Sequence, residues 1–341
     1  MLTIDDFTSG LASARQLTTA QTLGDRTGYI GASDIGQCPR KAILSKALPK
    51  PHDLKTLVYF ARGHLVEDIV ASALSGLNPA RQMELGADIP YCSQCRWWAS
   101  HAPVNNPAHC PSCGTPLSLL PMKAHLDFVF DADLVLECKS SDISDIWPAW
   151  ETQLQTQMFL YEHCLQRTPQ GILLVLDLAR GALNITDPYT LDPHMVPDIV
   201  QRGITIWEGI DTATLSSNPE DLPFRTEPGP LCGCCEYLST CPAFLGDELP
   251  DGLVTLFEQY IVLCQAEKDA KAKKDILRDQ VLSLLAPGKY ISGNIRASVS
   301  KRNRTSTDLG ALSALLEELG QDITEFQDRT AYQVLNVMQA S

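Results

Sequence analysis

The sequence predicts a mixed α/β fold in which a helix, three strands, a second helix and a fourth strand follow one another along the chain. Three observations predict it. Apolar residues recur at helical spacing over residues 55–77, strand-like segments follow, and a second helical pattern at 149–165 precedes the apolar run GILLVLDLA. An apolar content of 44% in 341 residues is enough for a sizeable core.

The first helix is expected to bury one apolar stripe, formed by Leu57, Phe60, Ala61, Leu65, Ile69 and Leu77. Strands are predicted next in RQMELGADIPY, HLDFVFD and LVLECKS, and a short Asp-Ala-Asp turn joins the last two. After the fourth strand we expect helices at 193–217 and 251–285, the latter ended by Pro287 and Gly288. A hairpin around Gly293 and Asn294, a short helix and the strand-like AYQVLNVM close the chain.

The charge distribution excludes some classes of function. A net charge of −14 argues against a protein that coats nucleic acid over its whole surface. Residues 1–62 nevertheless carry eight Lys and Arg against five acids, and residues 268–304 carry ten against three. These basic ends are either solvated surface or phosphate contacts. The sequence lacks a signal-peptide pattern and a long apolar run, so we expect a cytoplasmic protein, in a bacterium or a phage-infected host, with no membrane partner.

Twelve cysteines in a reducing compartment predict metal-binding thiolates rather than disulfides. Two C-x2-C pairs stand fourteen residues apart, a spacing typical of a zinc ribbon, which would be inserted at residues 91–116. Its predicted Zn²⁺ ligands are Cys92, Cys95, Cys110 and Cys113. At its tip, Arg96, Trp97 and Trp98 either touch DNA or a partner, or pack the ribbon against the core.

The Asp-Ala-Asp turn brings two acids together. Asp127 and Glu137 lie five residues on either side of Ala132, so a three-residue turn places them opposite each other, with Cβ atoms about 5 Å apart. Strand alternation puts Lys139 on the same face as Glu137. A divalent cation would relieve the repulsion between the carboxylates, polarise a phosphate and activate water, with the lysine orienting that water. An acidic hairpin that simply faces solvent is the alternative, which these three residues leave open.

The segment HLDFVFDADLVLECKS resembles the core motif of the PD-(D/E)XK nuclease superfamily, whose restriction-endonuclease-like αβββαβ core has the element order predicted above. Gln157 and Tyr161 resemble the Q-x3-Y motif of the RecB-like branch, which implies a role in contacting substrate or ordering the site. Glu67 matches the third metal ligand of phage recombination nucleases, and His64 is the alternative. The resemblance implies Mg²⁺ or Mn²⁺ on Glu67, Asp127 and Glu137.

A second cysteine group follows from the same resemblance. The segment Cys38-Pro39-Arg40-Lys41 is similar to the CPRK-like segment of iron–sulfur RecB-family exonucleases, the group that includes the CRISPR-associated exonucleases and phage relatives. In that group such a cysteine joins three others with the spacing C-x2-C-x5-C. The resemblance implies a [4Fe–4S] cluster, here called the iron–sulfur clasp, on Cys38, Cys232, Cys235 and Cys241, with Cys234 left over. From the residues alone, four thiolates suit zinc equally well.

The expected protein is therefore a metal-dependent DNA exonuclease of phage or bacterial recombination or repair. A nuclease that processes prespacers in CRISPR adaptation and a non-catalytic DNA-binding module are the alternatives. The C-terminal region is similar to the tail of exonucleases of the lambda type, and a recombination or single-strand-binding partner and a ring-shaped homo-oligomer are further expectations. The expected DNA contacts are Arg40, Lys41, Lys301, Arg302 and Arg304.

The predicted domain plan assigns each segment one role. The nuclease core is expected at residues 55–90 and 117–222, and the ribbon interrupts it. Residues 1–54 form an N-terminal helical segment that carries Cys38, residues 223–250 carry the other clasp cysteines, and residues 251–341 form a C-terminal helix and hairpin facing DNA. The single cysteines Cys138, Cys164 and Cys264 are interpreted as buried core thiols.

Overall fold

The computed structural model describes residues 3–99, 108–141, 146–246, 253–292 and 295–301. They belong to two compact units, Met1–Gly246 and Asp247–Gln339. The first unit holds a mixed seven-stranded sheet with its helices, and the second holds a long helix and a two-stranded hairpin. Within the described ranges no helix is long and apolar enough to cross a membrane.

The first unit begins with helix α1 (Ile4–Thr22), strand β1 (Ile30–Gly31) and helices α2 (Ala32–Gly36), α3 (Pro39–Ala47) and α4 (Leu54–Ala73). Strands β2 (Ala80–Tyr91), β3 (Ser118–Phe130) and β4 (Leu134–Ser140), helix α5 (Pro148–Leu165) and strand β5 (Gln170–Asp177) follow. Strands β6 (Ala182–Ile185) and β7 (Tyr189–Thr190) and helix α6 (Met195–Leu215) complete it. The predicted succession from α4 to β5 is confirmed.

Strand β3 organises the sheet. Along one edge it pairs antiparallel with β2, from Ala80 opposite Val129 to Tyr91 opposite Ser118. Its other edge pairs in parallel with β1 and in antiparallel with the start of β4. Strand β4 then pairs in parallel with β5, and β5 pairs antiparallel with β6 and β7. Helix α5 therefore makes the crossover that two parallel neighbours need.

Two apolar clusters cover the two faces of the sheet. Val135 belongs to the larger cluster and Leu136 to the smaller, so the clusters lie on opposite faces of β4. The larger cluster contains Met158 of α5 and residues of α2 and α6, whereas Val66 and Val70 of α4 belong to the smaller. Each such buried side chain contributes about 1.5–3 kcal/mol. Helices α4 and α5 are thus held on opposite sides of β4.

Helix α4 buries only part of the predicted stripe. Leu57 of that stripe is buried, and so are Val66 and Val70 outside it, whereas Leu65 and Ile69 of the stripe are 52% and 41% exposed. For these two residues the prediction was wrong because apolar residues occur around the whole helix, so their spacing alone does not select the side that meets the sheet.

The second unit contains helix α7 (Leu253–Leu284) and the antiparallel strands β8 (Gly288–Ser292) and β9 (Ile295–Val299). These elements agree with the predicted long helix and hairpin. No described residue of α7 is buried. The predicted hairpin turn at Gly293 and Asn294, the short helix and the final strand lie outside the described residues.

Candidate functional site

The acidic hairpin has the predicted turn length. A three-residue turn, Asp131–Asp133, joins β3 to β4. The ladder pair farthest from the turn is Phe128 with Leu136. Continuing this register by one pair sets Asp127 opposite Glu137, as the position of the turn predicts.

The Asp127 side chain is hydrogen-bonded to the backbone of the neighbouring strand β4. Its Oδ2 accepts a hydrogen bond from the backbone N–H of Cys138 at 2.8 Å. Burial raises the pKa of Asp127 well above its usual range, and the charges of Glu137 and Glu67 raise it further. A bound cation would relieve that repulsion, so the surroundings of Asp127 favour binding of positive charge.

Glu137 accepts hydrogen bonds from three side chains. It is 3% exposed. Its Oε1 accepts from Lys139 Nζ at 2.6 Å and from Gln153 Nε2 at 2.7 Å, and its Oε2 accepts from Gln157 Nε2 at 2.5 Å. Lys139 Nζ also donates to Gln153 Oε1 at 2.8 Å. A carboxylate has about four acceptor positions, so these three donors leave one for a further ligand.

Glu67 approaches the pair from α4. Its charge acts on the pKa of Asp127, so the two carboxylates are electrostatic neighbours. Its Oε2 accepts from Gln82 Nε2 at 2.9 Å, and its Oε1 lies 3.7 Å from His64 Nδ1. His64 is exposed, and its pairing with the Glu67 carboxylate raises its pKa. Of the two alternatives for a third ligand, Glu67 is the one whose charge acts on Asp127.

The three carboxylates are neighbours, but their oxygen atoms are not all close enough to one another to bind one ion. Within the described residues, the group whose ligand atoms all lie within 4.8 Å of one another is the quartet of cysteines described below. Glu67, Asp127 and Glu137 would have to move closer together, by side-chain rotation, to share one ion. Their donors are all oxygens, which suit the hard cations Mg²⁺ and Mn²⁺.

Gln157 and Tyr161 act on different groups. The amide of Gln157 is buried and reaches Glu137. Tyr161 instead donates its hydroxyl to Asp133 Oδ1 at 2.6 Å. Burial, together with the Asp133 carboxylate, raises the pKa of Tyr161 to about 12. In the described structure Tyr161 therefore holds the hairpin turn, whereas Gln157 holds a carboxylate of the site.

Two further site residues, both glutamines, were missed in the sequence. Gln153 lies one helical turn before Gln157 on α5, so both amides emerge on one face. The repeat Q-x3-Q-x3-Y was the signal that could have identified it. Gln82 has no local signal, because its contact with Glu67 depends on where β2 passes α4.

The four cysteines of the ribbon lie close together. Their Sγ atoms are 3.4 Å apart for Cys92 and Cys113, 3.5 Å for Cys95 and Cys110, and 3.6 Å for Cys95 and Cys113. Four metal–sulfur bonds of about 2.3 Å in a tetrahedron separate the sulfurs by about 3.8 Å. The quartet could therefore hold a single metal ion.

Two residues at the tip of the ribbon are engaged with the core. Arg96 Nη1 pairs with Glu208 of α6 at 2.8 Å, and Gln201 Nε2 donates to the Arg96 carbonyl at 2.8 Å. Trp98 packs edge-on against Phe159 of α5, with ring centroids 6.5 Å apart. For Arg96 and Trp98, the structure thus favours packing against the core over contact with a partner.

The second cysteine group lies where two distant segments meet. Cys38 precedes the first residue of α3, and the other three cysteines lie in or beside short 3₁₀ turns at 230–234 and 238–240. The Tyr237 hydroxyl donates to the Leu48 carbonyl at 2.7 Å and thereby ties the segments together. These sulfurs do not form a quartet within 4.8 Å. A cubane cluster binds each thiolate through a separate iron and so holds the sulfurs farther apart than one zinc ion does.

The DNA contact predicted for Arg40 is wrong. Its side chain is 2% exposed and does not reach a phosphate at the surface. Its guanidinium donates to the backbone carbonyls of Glu220 at 2.8 Å, Thr240 at 3.0 Å and Tyr237 at 3.4 Å. The sequence showed a basic residue but not the carbonyls that satisfy it, which lie 180 to 200 residues later in the chain.

The other basic residues expected on DNA differ in their surroundings. Lys41 Nζ lies 3.5 Å from Glu236 Oε2, so its charge is partly neutralised. Lys301 is exposed, whereas Arg302 and Arg304 lie outside the described residues. DNA contact by these four residues stays a prediction.

One of the three single cysteines is a core thiol. Cys138 is buried, and burial raises the pKa of its thiol. Cys164 and Cys264 are exposed, so the prediction that they are buried was wrong. Both lie among apolar residues in helices, but Cys164 lies at the end of α5, where its thiol reaches the Gly86 carbonyl, and no described residue of α7 is buried.

No family model and no curated protein matches the chain. Among solved structures, the crystal structure of SSO0001 is similar with a TM-score of 0.45 and 16% identity, over 70% of this chain and 98% of that one. An alkaline exonuclease (LHK-Exo) from Laribacter hongkongensis, also solved in complex with dAMP, is similar with a TM-score of 0.35 and 12% identity, over 57% of this chain and 94% of that one. Likenesses at these scores assign no function to this chain.

Proposed function

We propose that this chain is a metal-dependent DNA exonuclease. The observation that carries the proposal is the network in which Lys139, Gln153 and Gln157 all donate to Glu137, beside the charge-repelled carboxylate of Asp127. Burying so many charged and polar groups in one place is costly to stability. Clusters of this kind, with a strongly shifted carboxyl pKa, are typical of functional sites.

In this proposal Glu67, Asp127 and Glu137 hold Mg²⁺ or Mn²⁺. When bound, the ion would polarise the scissile phosphate and lower the pKa of a coordinated water. Lys139 uses two of its three N–H groups in its described bonds to Glu137 and Gln153. The third would orient the attacking water or donate to a phosphate oxygen in the transition state.

Helix α5 would hold the side chains of the site in fixed positions. Gln157 fixes the Glu137 carboxylate, and Gln153 bridges Glu137 and Lys139. Tyr161 would act one step further away, by fixing the hairpin turn through Asp133. DNA as the substrate, cleavage from strand ends and a role in recombination or repair rest on the resemblance of the hairpin and the Q-x3-Y residues to RecB-like nucleases.

We also infer two structural metal sites. The tetrahedral spacing of the ribbon quartet supports zinc, which would stabilise a segment too small to bury a core of its own. The [4Fe–4S] cluster is proposed on Cys38, Cys232, Cys235 and Cys241. Support comes from the four-thiol donor set and from the bonds by which Arg40 and Tyr237 dock the two segments onto each other.

The nuclease proposal is tested with end-labelled linear DNA and a covalently closed circle, each with Mg²⁺ or Mn²⁺. We expect release of nucleotides from the linear DNA, an intact circle and no reaction after chelation. Asp127→Asn and Lys139→Met should each reduce the rate by at least about a hundredfold. Cys164→Ser, at an exposed thiol away from the carboxylates, is the control. Undiminished degradation by Asp127→Asn would contradict the site, and a cleaved circle would contradict exonuclease action.

A further inference from the structure

At Gln82, the side chains of strand β2 switch from one face of the sheet to the other. Arg81 lies over the ring of Phe128, 5.5 Å from its centroid, and Phe128 belongs to the cluster under α4. Met83 packs against the larger cluster, on the other face of the sheet. Residues two apart in a regular strand share a face, so the change occurs at Gln82. Its φ of 50° is left-handed.

Strand β3 makes the same change at Asp127. Leu126 belongs to the larger cluster and Phe128 to the smaller one. The ladder between β2 and β3 pairs the residues on either side, but the position that would pair Gln82 with Asp127 is absent from it. Strand irregularities of this kind re-aim side chains beside active sites. The change of face therefore sets Asp127 between Glu137, which contacts α5, and Glu67 on α4.

The side chain of Gln82 contacts another of the three acids. Its Nε2 donates to Glu67 Oε2 at 2.9 Å. Because the amide is neutral, it can fix a carboxylate without bringing a charge that competes with a cation. The same residue thus adjusts the backbone opposite one acid and holds the carboxylate of another.

We propose that Gln82 is a positioning residue of the metal site: its left-handed backbone places Asp127 between the two faces of the sheet, and its amide holds Glu67 beside Asp127. The proposal rests on the proposed function, since it requires these carboxylates to bind a divalent ion. Residues other than glycine are strained in this conformation. Strain kept within a strand, here near the start of β2 and opposite a carboxylate, indicates a use other than stability.

The test separates the amide from the backbone. Gln82→Gly and Gln82→Asn both tolerate left-handed φ, and both lose the reach to Glu67. We expect the Mn²⁺ dissociation constant of the full chain, measured by electron paramagnetic resonance, to rise at least about tenfold in both. The thermal unfolding midpoint of metal-free Gln82→Gly should be unchanged or raised, because glycine relieves the strain.

Gln166→Gly is the matched control. Gln166 also has a left-handed φ, 55°, but it lies at the end of α5, and its amide bonds to the His163 carbonyl. This variant should keep the wild-type affinity for Mn²⁺. Asp127→Asn identifies the part of the Mn²⁺ signal that comes from the carboxylate site. The cysteine groups should contribute little to that signal, because thiolates are poor ligands for Mn²⁺.

Three results would overturn the proposal. Affinity within about twofold of wild type in both Gln82 variants would do so while leaving the nuclease proposal intact. A lowered unfolding midpoint in metal-free Gln82→Gly would show that the residue serves the fold instead. Mn²⁺ binding that Asp127→Asn does not weaken would remove the carboxylate site itself, and with it both proposals.

Discussion

At the scale of single residues, Asp127 links stability to pH. Its pKa is raised in the folded state, whereas in the unfolded chain the carboxyl titrates at about 3.9. The folded state therefore holds the proton more tightly. The stability that this group contributes is fully present below the unfolded pKa and is lost as pH rises through the folded pKa.

We accordingly predict that Asp127→Asn stabilises the metal-free protein at pH 8. Asparagine keeps an acceptor for the Cys138 N–H and removes the repelled charge. The unfolding midpoint, measured by calorimetry, should rise by roughly 2–4 °C for each kcal/mol of repulsion removed. The difference from wild type should disappear near pH 4, and equal midpoints at pH 8 would contradict the electrostatic argument.

Gln153 is a second target at this scale. Gln153→Leu removes the bridge between Glu137 and Lys139, so the lysine loses its fixed orientation. We predict that kcat falls by about 10- to 100-fold with little change in KM. Thr152→Ala, at the neighbouring half-buried position on α5, should leave kcat unchanged, since its hydroxyl bonds only to the Pro148 carbonyl in the described structure. A larger effect on KM than on kcat would argue against the bridge as the cause.

The sequence was sufficient for some of these residues because their placement is local. A three-residue turn and the period of a strand fix where Asp127, Glu137 and Lys139 lie relative to one another. Gln82 and Arg40 could not be placed in the same way, because Glu67 and the carbonyls that bind them come from other elements. Charge and residue type alone do not tell which distant group will satisfy a side chain.

Among the elements, the hairpin turn holds backbone strain. Ala132 has a φ of 63° in the turn Asp131–Asp133. We predict that Ala132→Gly stabilises the protein by about 1 kcal/mol, since glycine has no Cβ to clash in this conformation. The unfolding midpoint should rise, and Ala179→Gly, in an exposed turn without left-handed φ, should not raise it. A fall in Ala132→Gly would contradict the strain.

The ribbon gives a prediction for its proposed zinc. Cys110→Ser removes one of four ligands, and we expect metal analysis to show one zinc fewer per chain together with a lower unfolding midpoint. Loss of the zinc should also destabilise the core, because Arg96 and Trp98 anchor the ribbon to α6 and α5. Cys164→Ser is the control and should keep the full metal content. Equal zinc in both variants would show that the quartet does not hold the ion.

Helix α4 shows which part of an element the sequence determines. Its extent was predicted within a few residues, because the N-terminal Asp53 cap and a continuous helical pattern are local features. Its buried side was predicted only in part. That side depends on which apolar residues meet Phe128 and Leu136 on the sheet, a matter of tertiary packing.

For the whole molecule, the proposed cluster predicts a colour. Protein purified without oxygen should be brown, with broad absorbance at roughly 400 nm from sulfur-to-iron charge transfer. Cys38→Ala should remove this absorbance as completely as Cys241→Ala, because each supplies one ligand. Cys234→Ala should keep it. A colourless wild-type protein would remove the clasp and leave the carboxylate site standing.

The burial of Arg40 has a consequence for how the chain is made. A ribosome adds about 5–20 residues per second, so the interval between Arg40 and its partner carbonyl at Thr240 is about 10–40 s. Until then the guanidinium must stay hydrated. The beginning of the first unit is therefore completed by almost its last residues. A nascent chain halted before residue 220 should leave α3 open to proteases, although every residue of that helix has already been translated.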